Sequence, residues 1–286
     1  MNKNKSREAD FPPTVPTMAD RQSVHPTAVR TTMSLVSVDF YSYEESVKKA
    51  LDRLDVKKKL GTQTAILIKP NLVNASPHPI TTPAECCEAI VKYIQACSDA
   101  EIVIGEGCGD SSHETPAVFK RLGYNMLAQN YGIELIDLNT APLKHLKNPD
   151  CPVFPEMYLP EIALTHYIIS VPVLKAHSLA EITGTLKNMM GFAPPKHYSG
   201  RFGSWKKAVF HQHMQQSIID LNRYRTPDLS IMDASVGLAD FHLGGPECSP
   251  PVKKILAGFN PVEIDREAAT LLGMDWRTIP HVANAK

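Results

Sequence analysis

Apolar residues recur along this chain at two spacings, and the alternation between them predicts its architecture. Met33 to Val38 reads as a short strand, and Tyr43 to Leu60 places Val47, Ala50, Leu51 and Leu54 on one face of a helix. Ala65 to Ile68 is a continuous apolar run stopped at Lys69-Pro70-Asn71-Leu72. Pro83 opens a helix with the stripe Cys87, Ile90, Val91, Ile94 and Cys97. Glu101 to Gly105 and Ile133 to Leu138 are further strands. Between them lie the polar loop Glu106 to Glu114 and a short helix through Phe119 and Leu122. Leu143 to Pro160, rich in proline and polar residues, interrupts the pattern, and Tyr167 to Val173 resumes it as a central strand. His211 to Tyr224 suits a helix with Met214, Ile218 and Leu221 inward. Leu229 to Met232 and Lys254 to Ala257 are the last strands, and Pro261 to Leu272 is the closing helix.

Strands alternating with helices of this length predict an α/β fold, a mostly parallel sheet with helices on both faces and Rossmann-like halves. The first 32 residues, rich in Pro, Thr and Ser and without an apolar core, read as a disordered leader rather than a secretory signal. Residues 33–286 then form the α/β domain, with a division into two lobes near 143–165 left open. Phe192 to Ser204, with two prolines and two glycines, reads as an active loop or as a plain surface excursion.

Composition narrows the function. The 286 residues carry 30 basic and 30 acidic side chains, so neither nucleic acid nor an anionic membrane is the expected partner. No apolar segment has the length of a spanning helix. Six cysteines occur without a C-x-x-C pair, which predicts a reduced, cytoplasmic protein.

Within that neutral total, the charges are sorted into blocks. Lys175 to His213 carries Lys175, Lys187, Lys196, Arg201, Lys206 and Lys207 with His177, His197, His211 and His213, against Glu181 alone. Tyr93 to Phe119 carries Asp99, Glu101, Glu106, Asp110 and Glu114 with no Lys or Arg. Ligands of open α/β sheets sit outside the carboxyl ends of the strands. Lys69, Lys175 and His177 follow apolar runs, so they are expected to converge there on an anion. Thr183-Gly184-Thr185 reads as a turn that lets backbone approach a ligand before a helix starts near Leu186. The acidic loop 106–110 is a neighbour that could hold a divalent cation, with Cys108 and Asp110 as its ligand candidates. Carboxylates beside Cys108 favour an inert thiol as the competing reading. His211 and His213 fall on different helix faces, which argues against shared metal ligation. Asp233, before a His242-Leu-Gly-Gly-Pro loop, fits a cation or general-base role or a turn cap. Asp265 reads as a favourable first-turn charge of its own helix.

Three segments, Lys69-Pro70-Asn71-Leu72, Pro172-Val173-Leu174-Lys175-Ala176-His177 and Thr183 to Gly191, resemble the domain-of-unknown-function family 362. Asp233, Gly244-Gly245-Pro246 and Asn260-Pro261-Val262 with Asp265 extend the resemblance from about Met33 onward. Many members of that family carry an added ferredoxin-like cysteine segment. No such cysteine cluster occurs in this sequence, so an intrinsic four-cysteine iron–sulfur cluster is not expected. The fold and the Lys/His content also look distantly similar to nickel-pincer lactate racemases, which act on 2-hydroxy acids.

The leading expectation is therefore an enzyme of isomerase or redox type acting on a small anion, with a divalent or transition metal left open. His177, Lys187 and Asp233 are its catalytic candidates, His177 serving as general base. Lys69, Asn71, Lys175, Thr183, Gly184, Asn188 and His197 are its substrate-binding candidates. Two alternatives stand beside it. One is a non-catalytic metal or cofactor handler using Cys108, Asp110, His113 and His177, with a separate ferredoxin as partner. The other is a scaffold docking an acidic partner at Lys206 and Lys207.

Overall fold

The computed structural model describes residues 34–200 and 206–285. The expected leader and residues 201–204 of the expected loop lie outside them. Among the described residues the strands are β1 (Leu35–Asp39), β2 (Ala65–Pro70), β3 (Glu101–Glu106) and β4 (Glu134–Asp137). They continue as β5 (Leu143–Lys147), β6 (Glu156–Pro160), β7 (Tyr167–Val171), β8 (Val173–His177), β9 (Glu181–Thr183), β10 (Leu229–Leu238) and β11 (Lys254–Gly258).

The main sheet runs β1-β11-β10-β7-β2-β3-β4, with β8 beside β10 and β9 beside β8. The pairs β2–β3, β2–β7, β3–β4, β10–β7 and β10–β8 are parallel. β1–β11, β10–β11 and β8–β9 are antiparallel. The fold is thus α/β with a mostly parallel sheet.

Alternation along each strand sends side chains to two different layers. From β2, Ile66 and Ile68 enter a core with Val47, Leu51, Ile90 and Ile94 of the helices Tyr43–Arg53 and Ala84–Gln95. Leu67 enters the opposite core, against Leu186 and the Met214–Tyr224 helix residues Ile218 and Leu221. Lys69, two residues on from Leu67, therefore points toward that second layer. Leu174, Met232 and Leu256 pack a third cluster against Ile264 and Ala268 of the helix Pro261–Leu271.

Four elements differ from the sequence expectation. The helix expected over Tyr43 to Leu60 is two, Tyr43–Arg53 and Lys57–Leu60, because Asp55 takes a left-handed φ of 57° between them. The expected interruption from Leu143 to Pro160 contains the antiparallel pair β5–β6, separate from the main sheet. The strand expected over 167–173 breaks at Pro172, which has no N–H to offer a ladder. It resumes as β8, so Lys175 and His177 lie within a strand and on one face of it rather than beyond its end. His211 belongs to a 3₁₀ turn, Ala208–His213, and the helix begins at Met214.

The chain builds β2, β3 and β4 in one direction, then crosses back to place β7 on the other side of β2. The boundary between β2 and β7 is a topological switch point, and a crevice opens there outside the strand ends.

Candidate functional site

A cavity of about 460 Å³ occupies that crevice. Of the residues anticipated from sequence, Lys69, Asn71, His177, Thr183, Lys187 and Asn188 line it, and Asp110 stands on its wall. Glu106, Lys207, His211 and His242 also line it. Leu179, Phe241 and Leu243, exposed at 50%, 41% and 41%, form an apolar mouth.

Glu106 ends β3 and is the carboxylate around which the floor is organised. Its oxygens accept from Lys69 Nζ at 2.9 and 3.0 Å, from the Leu72 amide at 2.9 Å and from the Gly107 amide at 2.8 Å. Lys69 Nζ also meets the Pro70 carbonyl at 3.1 Å and Asn188 Oδ1 at 3.3 Å. An ammonium has three protons, so these partners saturate Lys69. Gly191 lies directly over the pair, and a Cβ there would strike Glu106 Oε1 and Lys69 Nζ. Lys69 is accordingly a structural cation, and the expected grip on substrate passes to other residues.

Lys175 is buried behind Asn71 rather than on the cavity wall, donating to Asn71 Oδ1 and the Ile80 carbonyl, both at 2.7 Å. Asn71 in turn donates to Asn188 Oδ1 at 3.2 Å. Lys207, expected on a docking surface, is buried and donates to Asn139 Oδ1 at 3.0 Å and to the Ala193 carbonyl. Burial pushes Lys175 and Lys207 each down to about 7. Lys187 is partly buried and makes no hydrogen bond or ion pair to any described residue. Burial pushes it down to about 8.

His177 departs from its expected role as general base. Its Nδ1 accepts from the Leu179 amide at 3.0 Å and the Ala180 amide at 3.1 Å. Two N–H donors at one ring nitrogen require the tautomer with its proton on Nε2, so the group can donate but not abstract. Burial holds its protonation well below the usual histidine range, and nearby Lys187, His242 and Lys175 add to this. His242 stacks on His177 with ring centroids 3.8 Å apart and is pushed down to about 3, burial first.

His211 has the complementary tautomer. Its Nδ1 lies 3.2 Å from the Lys207 carbonyl, an acceptor, so Nδ1 carries the proton and Nε2 the lone pair. Burial and Lys187 lower its pKa.

The backbone approach expected at Gly184 is filled from inside the protein. Buried Asp265 accepts from the amides of Thr185 and Leu186, the latter at 3.0 Å, and a Cβ on Gly184 would collide with its carboxyl. Asp265 thus caps the four-residue helix Thr185–Asn188 instead of serving its own helix, and substrate does not reach those amides. Burial pushes Asp265 up to about 7, against the two N–H bonds. Asp265→Ala should cost about 3 kcal/mol, because two buried donors are orphaned at roughly 1–3 kcal/mol each. Asp265→Asn, which keeps one acceptor, should cost less than half of that in denaturant melts. Equal losses would locate the cost elsewhere than in the cap.

Other anticipated residues lie apart. Asp233, fully buried within β10, accepts from Tyr43 Oη at 2.8 Å and pairs with His78 at 3.2 Å, away from the cavity wall. His197 stacks on Tyr158 with centroids 3.9 Å apart and also lies outside the cavity. Thr183 belongs to β9, and its Oγ1 has no hydrogen-bond partner.

The candidate metal ligands Cys108 and Asp110 have other partners among the described residues. Cys108 is buried, with Sγ against the His113 carbonyl at 3.4 Å and Lys206 Nζ at 3.8 Å, and it does not line the cavity. Burial raises its thiol pKa. Asp110 holds His113 Nδ1 at 2.8 Å. Among the described residues no three His, Cys, Asp or Glu side chains are grouped to hold a metal.

The signals for the unanticipated residues were uneven. The sequence places Glu106 at a strand end in the acidic loop 106–110, but as a neighbour for a cation rather than as the partner of Lys69. His242 adjoins the Gly244-Gly245 loop. The sequence marks Lys207 and His211 only as members of the basic block, because their segment has no strand periodicity to place them at the crevice.

Residues 66–270 match the family model described as Domain of unknown function (DUF362). The chain belongs to that family. Among curated proteins, none matches the sequence. Among solved structures, lactate racemase apoprotein from Thermoanaerobacterium thermosaccharolyticum is similar, with 13% identity and a TM-score of 0.51. The alignment covers 82% of this chain and 56% of that one, so this DUF362 chain spans little more than half of that structure. At such identity the likeness is one of fold. Among the described residues no helix is long and apolar enough to cross a membrane.

Proposed function

We propose that this protein is an enzyme that binds a small anion in the β2–β7 crevice and moves a proton on it, a reaction of isomerase type. The observation that carries the reading is Lys187: a cationic side chain on the cavity wall with no ion pair among the described residues. Lys207 has one ammonium proton left after its two acceptors. His177 offers Nε2–H and His211 offers the Nε2 lone pair. These groups supply two cationic donors for a carboxylate or phosphate, a neutral donor for a developing oxyanion, and a base. The fold shared with lactate racemase apoprotein is compatible with acid isomerisation as the reaction class.

Stability against pH tests the anion site. Lys175, Lys187 and Lys207 have folded-state pKa values below the ~10.4 of an unfolded lysine. Between pH 7 and about 8.5 the unfolded chain therefore holds protons that the native state has shed, and stability from these groups rises with pH. An anion bound to the protonated lysines opposes that trend. Phosphate or lactate, at matched ionic strength, should raise the melting temperature more at pH 7 than at pH 8.5 and flatten the slope. No shift with either anion at either pH would defeat the reading.

A further inference from the structure

We propose that Lys187 forms a Schiff base with the carbonyl carbon of a small 2-oxo acid bound in this cavity. The inference rests on the anion-site reading and adds a covalent step to it. Four lysines gather around the crevice, and they differ in what their nitrogens hold. Lys69 has three acceptors around it, and Lys175 and Lys207 have two each. Lys187 has none among the described residues. An ammonium left without a partner inside a protein is costly, whereas a neutral amine there keeps a lone pair available to a carbonyl. Burial favours that neutral form. At pH 8 about half of Lys187 would be amine, against about 0.4% of an ordinary exposed lysine, a preference on the order of a hundredfold.

The setting suits the reaction. Lys187 projects from a short helix whose start is pinned by Asp265, so its position is held from the protein interior. The Nζ lone pair forms the C–N bond while the carbonyl π pair moves to oxygen, where His177 Nε2–H donates a hydrogen bond. His211 Nε2 takes one proton from the new ammonium nitrogen and delivers it to that oxygen. The hydroxyl leaves as water with a second proton drawn from solvent, and the protonated iminium remains. Electron withdrawal by that iminium acidifies the adjacent carbon, whose proton His211 can accept to give the enamine. The substrate carboxylate meets the Nζ–H that Lys207 has left after Asn139 and Ala193, and its binding favours the protonated form of that lysine. A 2-oxo acid is the smallest class that presents both the carbonyl and the anion these groups address.

The test uses the full chain at pH 8 with pyruvate and sodium cyanoborohydride, read by intact mass and peptide mapping. The expected product is a gain of pyruvic acid less one oxygen atom, at Lys187, at least about tenfold above that at any exposed lysine. Lys187→Arg, which keeps the charge, should lose the adduct and retain the phosphate-induced thermal shift. In deuterium oxide the wild type should exchange the pyruvate methyl protons, read by proton NMR, and Lys187→Arg should not. A phosphate shift without the Lys187 adduct overturns the Schiff base and leaves the anion site standing. Loss of both overturns both. Adducts spread over the lysines in proportion to exposure, or centred on Lys175 or Lys207, also overturn it.

Discussion

Glu106→Gln is expected to cost about 4 kcal/mol of stability and to lower the melting temperature by about 10 °C. The carboxylate has four contacts, two to Lys69 and one each to the Leu72 and Gly107 amides, at 2.8 to 3.0 Å. Both members of the ion pair are buried, at 0% and 3% side-chain exposure. Removing the negative charge leaves Lys69 as an uncompensated buried cation, the situation in which breaking a buried pair costs most. Gly191 backbone packed on the pair prevents the lysine from swinging out. The double replacement Glu106→Gln with Lys69→Met should recover much of the loss, since it removes both charges. A drop no larger than that of the exposed control Glu44→Gln would mean that Pro70 and Asn188 alone hold Lys69.

Lys187→Met should have the opposite sign on stability and a larger effect on binding. With no hydrogen bond or ion pair to a described residue, the side chain contributes repulsion toward Lys175. An apolar chain of similar length removes that repulsion and should raise the melting temperature by a few degrees. The same change should weaken phosphate binding about 30-fold, because a charge-assisted hydrogen bond contributes roughly 2 kcal/mol. Calorimetric titration beside thermal melts separates the two. A destabilised variant that binds phosphate as before would make Lys187 a structural residue.

Much of the site was legible because strand ends are legible. The apolar run closed by Lys69 and Asn71 marked β2, and the run before Lys-Ala-His marked β7, whereas β8 reads in sequence as the loop beyond it. The position of a ligand outside the carboxyl ends followed from the parallel sheet. What each side chain does there was not legible. Lys69 and Lys187 look alike in sequence, yet one is saturated by Glu106 and the other has no partner among the described residues. His177 and His211 are both histidines of the same basic block. Two backbone amides make His177 a donor and one carbonyl makes His211 an acceptor.

Local pattern determined the α/β class, the helices that cover the sheet and the loops where chemistry collects, because hydrophobic period and strand termination are short-range properties of the chain. Only the tertiary structure decided that Asp265, 80 residues away from Thr185, occupies the helix start read as an anion cradle. It also decided that Asp233 belongs with Tyr43 and His78 and that Lys207 faces inward. Hydrogen-bond saturation, tautomer and burial depend on which distant groups arrive at the same place. That information resides in the order of the sheet, with β7 set beside β2, rather than in any stretch of residues.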